Sequence, residues 1–298
     1  MNCLFCNSNK HLLSYLPSTQ FNDKQFDYRK CTNCDLIFID PLPTEQDLLK
    51  MYPPSYQDGI DATILSNPYK KLIGLRFSYG EHFDLLKSIK FSGRMVDFGC
   101  GNANFLINCN HHGFICDGVE YNSNHVAVLK KEITSANFFE VSEFLNSDYK
   151  YDLIRLSNVF EHFTDPINML IQLKAKLKPN GYFLIEGPIE TNFNIALQFR
   201  KIYFNIRKAI QPNRQVHHNP THIIFTNRKN QQDILKKAGI KHVYFKIAES
   251  AWPFPADFSS ANGFVQKLNV IIARISIQIS KLTSTWGNTF IYLGQKEG

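Results

Sequence analysis

Four cysteines near the N-terminus have the spacing of a metal site. Cys3 and Cys6 form one Cys-x2-Cys pair, and Cys31 and Cys34 form a second pair after twenty-four intervening residues. Each pair can form a tight turn that directs two sulfur atoms at one ion, and two pairs complete a tetrahedral site that is closed to water. The sequence therefore predicts a structural Zn2+ site, the alternative being two unrelated pairs of reduced thiols.

A second group of residues has the types that bind a nucleotide-like cofactor. Asp97 precedes Gly99 and Gly101, and Glu120 follows 23 residues after Asp97. The NAD fingerprint requires a third glycine where this chain has Asn104. A carboxylate at this point would repel a pyrophosphate, whereas S-adenosylmethionine (SAM) carries an ammonium and a sulfonium and no phosphate. The pattern predicts SAM, with Glu120 accepting hydrogen bonds from its ribose.

Three histidines lie within six residues in the second half of the chain. They are His217, His218 and His222. Imidazoles titrate near neutral pH, so each is a candidate general base. A metal site is the less favoured interpretation, because adjacent histidines such as His217 and His218 rarely point at one ion.

Alternating strand and helix patterns predict the elements that hold these residues. An apolar strand at Arg94–Phe98 leads into the glycine turn, a helix follows at 105–112, and a second strand at Ile115–Glu120 ends in the acid. This order is the first βαβ unit of an open α/β sheet with helices on both faces. The ends of parallel strands form the edge at which ligands bind, which agrees with the positions of Asp97 and Glu120.

Capping residues and turn signals define the segments on either side of this unit. Residues 36–39 are predicted as a short strand, and Thr44 as the N-cap of the helix that follows it. Near the other end we expect a helix at 227–238, capped by Thr226 and ended by Gly239. Strands are expected at Ile240–Ala248 and at 288–294, the second being the last strand of the sheet.

Composition is that of a globular chain with a modest basic excess. The 298 residues are 44% hydrophobic and carry a formal charge of +7. The charge fits either a mildly basic protein or one that binds an anionic acceptor. The N-terminal residues do not resemble a secretory signal and no uncharged apolar run is long enough for a membrane span, so a cytoplasmic location is expected.

Three segments resemble the class I SAM-dependent methyltransferases. Residues 96–101 (VDFGCG) resemble motif I of that family, residues 151–166 (YDLIRLSNVFEHFTDP) its fourth strand and following loop, and residues 177–186 (LKPNGYFLIE) the passage into its fifth strand. The four-cysteine segment, with its aromatic strand and Pro-x-Pro turn, resembles the N-terminal zinc module of sugar methyltransferases. The resemblance implies a Rossmann-like α/β sheet with a small zinc-binding module before it.

The resemblance also implies roles for several residues. Asn158 is expected to contact the methionine part of SAM. Glu161 and His162 are expected to face the reaction centre or to cap the next helix. The acid of the third strand that contacts adenine in many members has three candidates here, namely Glu140, Ser142 and Glu143.

The histidine segment differs from its counterpart in sugar C-methyltransferases. That counterpart often reads Tyr-x-Glu-His, and in this chain His222 matches the histidine while Thr221 replaces the glutamate. The difference weakens proton abstraction from carbon and favours O-methylation, with His222 or His218 as the base and His162 as a further catalytic candidate. The alternative is that His222 only tethers its segment.

The predicted organisation has one small and one large part. The parts are a zinc-binding module at 1–56, a linker at 57–75, and a methyltransferase domain at 76–298 with inserts near 197–215 and 252–287. The first insert is a basic, aromatic helix that could act as a lid. The second contains Lys267, Arg274 and Lys281 at seven-residue intervals, which predicts an amphipathic helix that covers the acceptor site, forms a dimer interface or lies on a membrane surface.

The leading functional prediction is methyl transfer from SAM to a sugar hydroxyl, in a nucleotide-linked sugar or a surface glycan. The partner is then a small, anionic sugar derivative. A nucleic-acid methyltransferase is less favoured, because the basic residues are spread along the chain. A zinc-stabilised scaffold without activity is the third prediction, and Asp97, Gly99, Gly101 and Glu120 together argue against it.

Overall fold

The computed structural model describes residues 1–52, 79–211, 216–217, 220–250, 258 and 263–297. The predicted linker at 57–75 and the candidate base His218 lie outside these ranges. The strands are β1 (His11–Leu13), β2 (Thr19–Phe21), β3 (Lys24–Cys31), β4 (Ile37–Asp40), β5 (Arg94–Phe98), β6 (Ile115–Glu120), β7 (Phe138–Glu140), β8 (Tyr151–Ser157), β9 (Leu177–Pro188), β10 (Val216–His217), β11 (Ile224–Phe225), β12 (Ile240–Ala248) and β13 (Thr289–Lys296).

The helices of the described residues flank these strands. They are α1 (Glu45–Met51), α2 (Tyr79–Ser88), α3 (Asn104–His111), α4 (Ser123–Glu132), α5 (Val141–Asn146), a 3-10 turn (Phe160–His162), α6 (Pro166–Ala175), α7 (Ile195–Ile210), α8 (Arg228–Lys237) and α9 (Gly263–Leu282). Within the described ranges, no helix is both long and apolar enough to cross a membrane.

The central sheet has seven strands in the order β12-β13-β9-β8-β5-β6-β7. Strands β5 to β9 pair in parallel, and β13 pairs antiparallel with both β9 and β12. The predicted α/β class and the predicted last strand near residues 288–294 are confirmed, and this strand is antiparallel to its neighbours. The chain order changes direction at β5, which has β6 on one side and β8 on the other, so a crevice opens beyond the carboxyl ends of these strands.

Local capping explains where several helices begin. Thr44 and Asp47 form a capping box at the start of α1, as predicted for Thr44. The prediction that Thr226 caps α8 is wrong by one residue: the cap is Asn227, which makes a capping box with Asn230. The Thr226 hydroxyl is buried and instead accepts a hydrogen bond from Gln231 Nε2 (2.9 Å).

A second sheet combines the N-terminal residues with a later part of the chain. Its strand order is β10-β2-β3-β4-β11, with β1 paired to β3. Strand β11 pairs antiparallel with β4, and β10 pairs in parallel with β2. The N-terminal sheet is therefore completed by two strands from residues 216–225, and a boundary near residue 56 does not separate the two sheets.

Aromatic packing joins the two sheets into one apolar core. The ring of Phe5 lies 6.5 Å from that of Phe160, in the turn after β8, and both belong to one buried cluster that includes residues of both sheets. Within the N-terminal sheet, the ring of Tyr28 lies 5.4 Å from that of Phe225. All four side chains are buried. Burial of aromatic rings is among the largest contributions to folding, so the N-terminal sheet is a part of the folded unit and holds the residues around β11 in place.

Candidate functional site

The glycine turn after β5 leaves no space for a side chain. Gly99 has a φ of +79°, and a Cβ atom there would lie 2.3 Å from Cγ2 of Val159. The N–H groups of Gly99 and Cys100 both donate to the Val119 carbonyl, at 2.8 and 3.0 Å. The turn is therefore fixed between β6 and the loop after β8, with its backbone at the mouth of the crevice.

Glu120 closes this turn from the neighbouring strand. Its Oε2 atom accepts a hydrogen bond from the Gly101 N–H (3.0 Å), and its Oε1 atom accepts from the Tyr121 N–H (2.8 Å). The Oε1 atom also accepts, at longer range, from the Asn122 N–H (3.4 Å). Because each carboxylate oxygen has about two acceptor sites, Oε2 retains capacity for a donor on a ligand. The carboxylate is nearly buried but reaches the cavity described next.

A cavity of about 510 Å³ opens beside the turn. Residues at and after the ends of β5, β6 and β8 line this cavity. Four of the predicted site residues are among them, namely Gly99, Glu120, Asn158 and His162. The remaining lining includes Tyr52, Phe98, Val141 and Met169, so the walls are largely apolar. Such a cavity, apolar with a few convergent polar groups, is the usual form of a small-molecule site.

Asp97 lies behind this cavity and has a buried partner. Its Oδ1 atom accepts a hydrogen bond from Arg155 Nη1 (2.8 Å), and both side chains are almost fully buried. Arg155 also donates through Nη2 to Glu186 Oε1 (3.2 Å), and its guanidinium lies 4.0 Å from the centre of the Phe105 ring. The carboxylate of Asp97 thus neutralises an arginine in the core and fixes the end of β5.

The same buried network continues through Glu186. Its Oε2 atom lies 3.0 Å from His82 Nε2, and Ser157 donates to its Oε1 atom. Burial alone would raise the pKa of Glu186, but His82 and Arg155 outweigh it and lower the pKa to about 2. Glu186 is therefore a carboxylate at neutral pH.

Asn158 occupies a special backbone position at the end of β8. Its φ is +52°, a left-handed conformation that asparagine tolerates better than most residues. Its N–H donates to the Glu186 carbonyl (3.0 Å), which leaves the side chain among the residues that line the cavity. The sequence assigned Asn158 to this place by resemblance, and the backbone geometry accounts for the residue type.

His162 borders the cavity with one ring nitrogen already engaged. Its Nδ1 atom lies 2.7 Å from the Thr221 carbonyl oxygen and 2.9 Å from the Tyr52 hydroxyl. A carbonyl can only accept, so we assign the proton to Nδ1 and the lone pair to Nε2. Burial lowers the pKa of His162 below its ordinary 6.5, and the neighbouring His222 adds to the effect.

His222 lies against His162, with 5.1 Å between the ring centres. Its Nδ1 atom is 2.9 Å from Glu190 Oε2, an arrangement that holds the ring in one orientation. The adjacent Glu161 is buried, and its Oε2 atom has no hydrogen-bond partner among the described residues. Ligand atoms of Glu161, His162 and His222 lie within 4.8 Å of one another, close enough to share a proton or a cation.

The four N-terminal cysteines meet at one point. Cys3 Sγ lies 3.5 Å from Cys34 Sγ, Cys6 Sγ lies 3.6 Å from Cys31 Sγ, and all four sulfur atoms are within 4.8 Å of one another. In a tetrahedral zinc site with Zn–S bonds of about 2.3 Å, the sulfur atoms are about 3.8 Å apart. The geometry of the four thiols therefore fits a zinc ion.

Other predicted residues lie away from the cavity. Glu140 and Glu143 form a capping box at α5, and of this segment Val141 lines the cavity. No residue of α7, the predicted lid, is among those that line it in the described part of the chain. The adenine-contacting residue therefore remains open among Glu140, Ser142 and Glu143.

Sequence reasoning missed three residues of the site. Tyr52 and Glu190 contact the two histidines, and Arg155 anchors Asp97. Arg155 had a signal, because a charged residue in the middle of a buried apolar strand requires a partner. Glu190 also had one, as an acid two residues beyond the carboxyl end of β9, at the same edge of the sheet as Glu120, the last residue of β6. Tyr52 had none.

Comparison with known proteins identifies the family. The family described as "Methyltransferase domain" matches residues 76–244. No protein with a curated function matches the sequence. Among solved structures, 1,6-didemethyltoxoflavin-N1-methyltransferase from Burkholderia thailandensis superimposes with a TM-score of 0.53 at 11% identity, covering 95% of this chain and 100% of its own. This likeness supports the fold.

Two further structures are similar at lower TM-scores. A SAM-dependent methyltransferase from Archaeoglobus fulgidus is 21% identical with a TM-score of 0.43, covering 74% of this chain and 96% of its own. Phosphoethanolamine N-methyltransferase 2 from Haemonchus contortus is 15% identical with a TM-score of 0.49, covering 88% of this chain and 62% of its own.

Proposed function

This chain belongs to the class I SAM-dependent methyltransferases, and from that premise we propose that it transfers the methyl group to a hydroxyl of a sugar, nucleotide-linked or part of a surface glycan. The observation that carries the proposal is the cavity shared by Gly99, Glu120, Asn158 and His162. These residues come from the ends of three neighbouring strands. Support for a sugar comes from the zinc-type module and from the histidines beside the cavity.

The residues around the cavity would divide the work between cofactor and acceptor. SAM supplies an activated methyl group on a sulfonium. Glu120 would accept a ribose hydroxyl through the remaining acceptor site of Oε2, while the backbone of the glycine turn and Asn158 would hold the methionine part. Apolar walls such as Phe98 and Val141 would exclude water, so that most of the rate enhancement arises from alignment of the two reactants.

His162 is the base that the geometry favours. Of the two described histidine candidates it is the one that lines the cavity, and its Nε2 atom carries the lone pair. The lowered pKa keeps the imidazole neutral at pH 7, the form that can accept a proton from an acceptor hydroxyl. His222, held by Glu190, would orient His162 and stabilise the charge that develops on it.

Glu190 also bears on the missing glutamate of the histidine segment. Thr221 stands where sugar C-methyltransferases often have an acid, but Glu190 brings a carboxylate to 2.9 Å from His222 through space. The histidine pair therefore has an acid partner from a different part of the chain. A hydroxyl acceptor still requires only one proton transfer, and His162 with His222 provides it.

The first prediction is that Glu120→Gln weakens binding of S-adenosylhomocysteine by roughly ten- to hundredfold, because charged acceptors contribute more than neutral ones to hydrogen bonds. Calorimetric titration of the zinc-loaded protein measures the affinity. The matched control is Glu132→Gln, an exposed residue at the end of α4 with the same loss of charge. Thermal melting of both variants checks that the fold is intact.

Two outcomes would oppose the proposal at different levels. If the folded, zinc-loaded protein does not bind S-adenosylhomocysteine, the scaffold interpretation replaces the enzyme. If it binds the cofactor and then methylates RNA or DNA in preference to nucleotide sugars, the sugar acceptor is wrong. Release of S-adenosylhomocysteine from SAM in the presence of uridine-, thymidine- or guanosine-diphosphate sugars is the expected positive result.

The second prediction concerns the titration of His162. Its pKa is lowered, so its imidazole is expected to gain a proton only below pH 6.5, and methyl transfer is expected to be constant from neutral pH down to that value and to fall at lower pH. NMR of the imidazole carbon-bound protons measures the midpoint directly, and His162→Gln assigns the signal by removing it. A midpoint at or above 6.5 would contradict the proposed role.

A further inference from the structure

Two helices outside the active site expose an unusual amount of apolar surface. On α7 the exposed apolar side chains are Phe199, Ile202, Tyr203, Ile206 and Ile210. On α9 they are Phe264, Val265, Leu268, Ile271, Ile275 and Leu282. The side-chain exposure reaches 72% at Ile210 and 85% at Leu282. Contiguous apolar surface of this kind marks an interaction site.

The exposed residues form one stripe along each helix. With about 100° of rotation per residue, the spacing of Phe264, Leu268, Ile271, Ile275 and Leu282 places them within a narrow sector of α9. Val270, Ala273 and Ser276 occupy the opposite sector and are buried. The inner face of α9 thus packs on the protein, and the outer stripe is additional to that packing.

The two stripes lie on neighbouring helices. Helices α7 and α9 contact each other. The side of α7 away from its stripe is anchored on the N-terminal part, where the Phe204 ring lies 6.4 Å from that of Tyr15 and Lys201 Nζ lies 5.6 Å from the Tyr15 ring centre. Both helices are therefore held with their apolar stripes outward.

Charge identifies the chemistry of the partner. The two helices contain seven basic residues and no acidic one, the basic residues being Arg200, Lys201, Arg207, Lys208, Lys267, Arg274 and Lys281. By helical spacing, Lys267, Arg274 and Lys281 flank the stripe of α9, and Arg207 flanks that of α7. Long basic side chains beside an apolar stripe can reach headgroups while the stripe enters the acyl layer.

We propose that the paired helices α7 and α9 bind the surface of an anionic lipid bilayer and lie in its plane. A second copy of the chain fits this surface less well, because pairing these faces would bring the basic residues that flank the stripes of one copy against those of the other. An anionic surface neutralises them, and the apolar stripes supply the short-range part of the binding. The acceptor would then be methylated close to a membrane.

The test is flotation of the full-length, zinc-loaded protein with vesicles of two compositions. We expect binding to vesicles of equal parts phosphatidylcholine and phosphatidylglycerol, and little binding to phosphatidylcholine alone. Salt should weaken the binding, because exposed charges are screened. Equal binding to both vesicle types, or binding to neither, would overturn the proposal.

Two sets of variants separate the apolar and the electrostatic contributions. Ile206→Asn with Ile271→Asn removes apolar surface, and Val128→Asn with Ile171→Asn is the control at equally exposed positions of α4 and α6. We expect at least about tenfold weaker vesicle binding in the first pair only. Both substituted pairs are exposed, so both variants should retain the wild-type melting temperature.

The charge variants follow the same design. Arg207→Gln, Lys267→Gln and Lys281→Gln are combined, with Lys131→Gln, Lys229→Gln and Lys236→Gln as the control for equal loss of net charge. Each basic residue near an anionic surface contributes on the order of fivefold in affinity, so the first triple variant should bind about a hundredfold more weakly. If the two triple variants weaken vesicle binding equally, net charge alone and not the position of the basic residues determines the binding.

The apolar pair also tests for self-association. If the wild-type protein is a dimer and Ile206→Asn with Ile271→Asn converts it to a monomer, a second copy of the chain covers the surface.

Discussion

Replacing Arg155 with methionine is expected to lower the free energy of unfolding by about 3–5 kcal/mol, the largest effect of any single substitution outside the zinc site. The guanidinium donates to Asp97 (2.8 Å) and Glu186 (3.2 Å), and all three side chains are buried. Methionine retains much of the volume but leaves two carboxylates without their cation. Urea unfolding measures the change, and Lys178→Met, in the exposed ion pair with Asp152, is the control with an expected effect below about 1 kcal/mol.

Measuring the free energy of unfolding at several pH values shows whether Arg155→Met acts through the loss of its ion pairs or only through the loss of packing. The pKa of Glu186 is lowered to about 2 from an ordinary value of 4.5. Its contribution to stability is therefore complete above pH 4.5 and is lost as the pH falls towards 2. Arg155→Met should reduce this pH dependence, whereas a defect in packing alone would shift stability equally at every pH. A parallel shift would contradict the electrostatic explanation.

This network also shows where inference from the sequence ends. The pattern of Asp97, Gly99, Gly101 and Glu120 was sufficient to predict the order of strand, turn, helix and strand, because that information is local. The cofactor-binding role of Asp97 stays a prediction, and its partner within the protein could not be predicted, since spacing along the chain does not reveal which way a carboxylate points. The structure turns Asp97 towards Arg155, a residue 58 positions later, and such pairs depend on the register of β5 against β8.

The same reason applies to the histidine site and to the two sheets. From the sequence, Thr221 in place of a glutamate indicated that the histidine segment has no carboxylate beside His222. In the structure, Glu190 brings a carboxylate to His222 from just beyond the end of β9. Likewise, the sequence predicted a boundary between the N-terminal module and the methyltransferase domain. In the structure, β10 and β11, from the later part of the chain, complete the N-terminal sheet. Residue types and short spacings identified the cavity residues, and long-range pairing determined their partners.

That return of the chain connects the cysteine cluster, the proposed zinc site, to the candidate active site. Strand β4 begins three residues after Cys34 and pairs with β11, which follows His222 by two residues. Tyr52, at the end of α1, contacts His162, and α1 is tied to the N-terminal sheet by the bond from Lys24 to Asp47 (2.7 Å). Disorder of the cysteine cluster would therefore reach both histidines through two separate connections.

We accordingly expect Cys31→Ser to lose the zinc ion and to unfold the N-terminal sheet. Structural zinc contributes an apparent 10–16 kcal/mol in small zinc domains, more than the aromatic contacts with Phe160 and Phe225 can replace. Elemental analysis should give one zinc per wild-type chain and little in the variant. The control is Cys116→Ser, a buried thiol of β6 outside the cluster, which should retain the metal.

Hydrogen exchange measured by mass spectrometry locates the consequence. Peptides that cover β3, β4 and β11 should lose protection in Cys31→Ser, while those of β5 and β8 should keep most of theirs. If exchange around His162 and His222 also rises, the zinc site supports the catalytic residues through β11 and Tyr52. If the N-terminal sheet remains protected without zinc, the aromatic core shared with the central sheet is sufficient to fold it, and the metal has a different role.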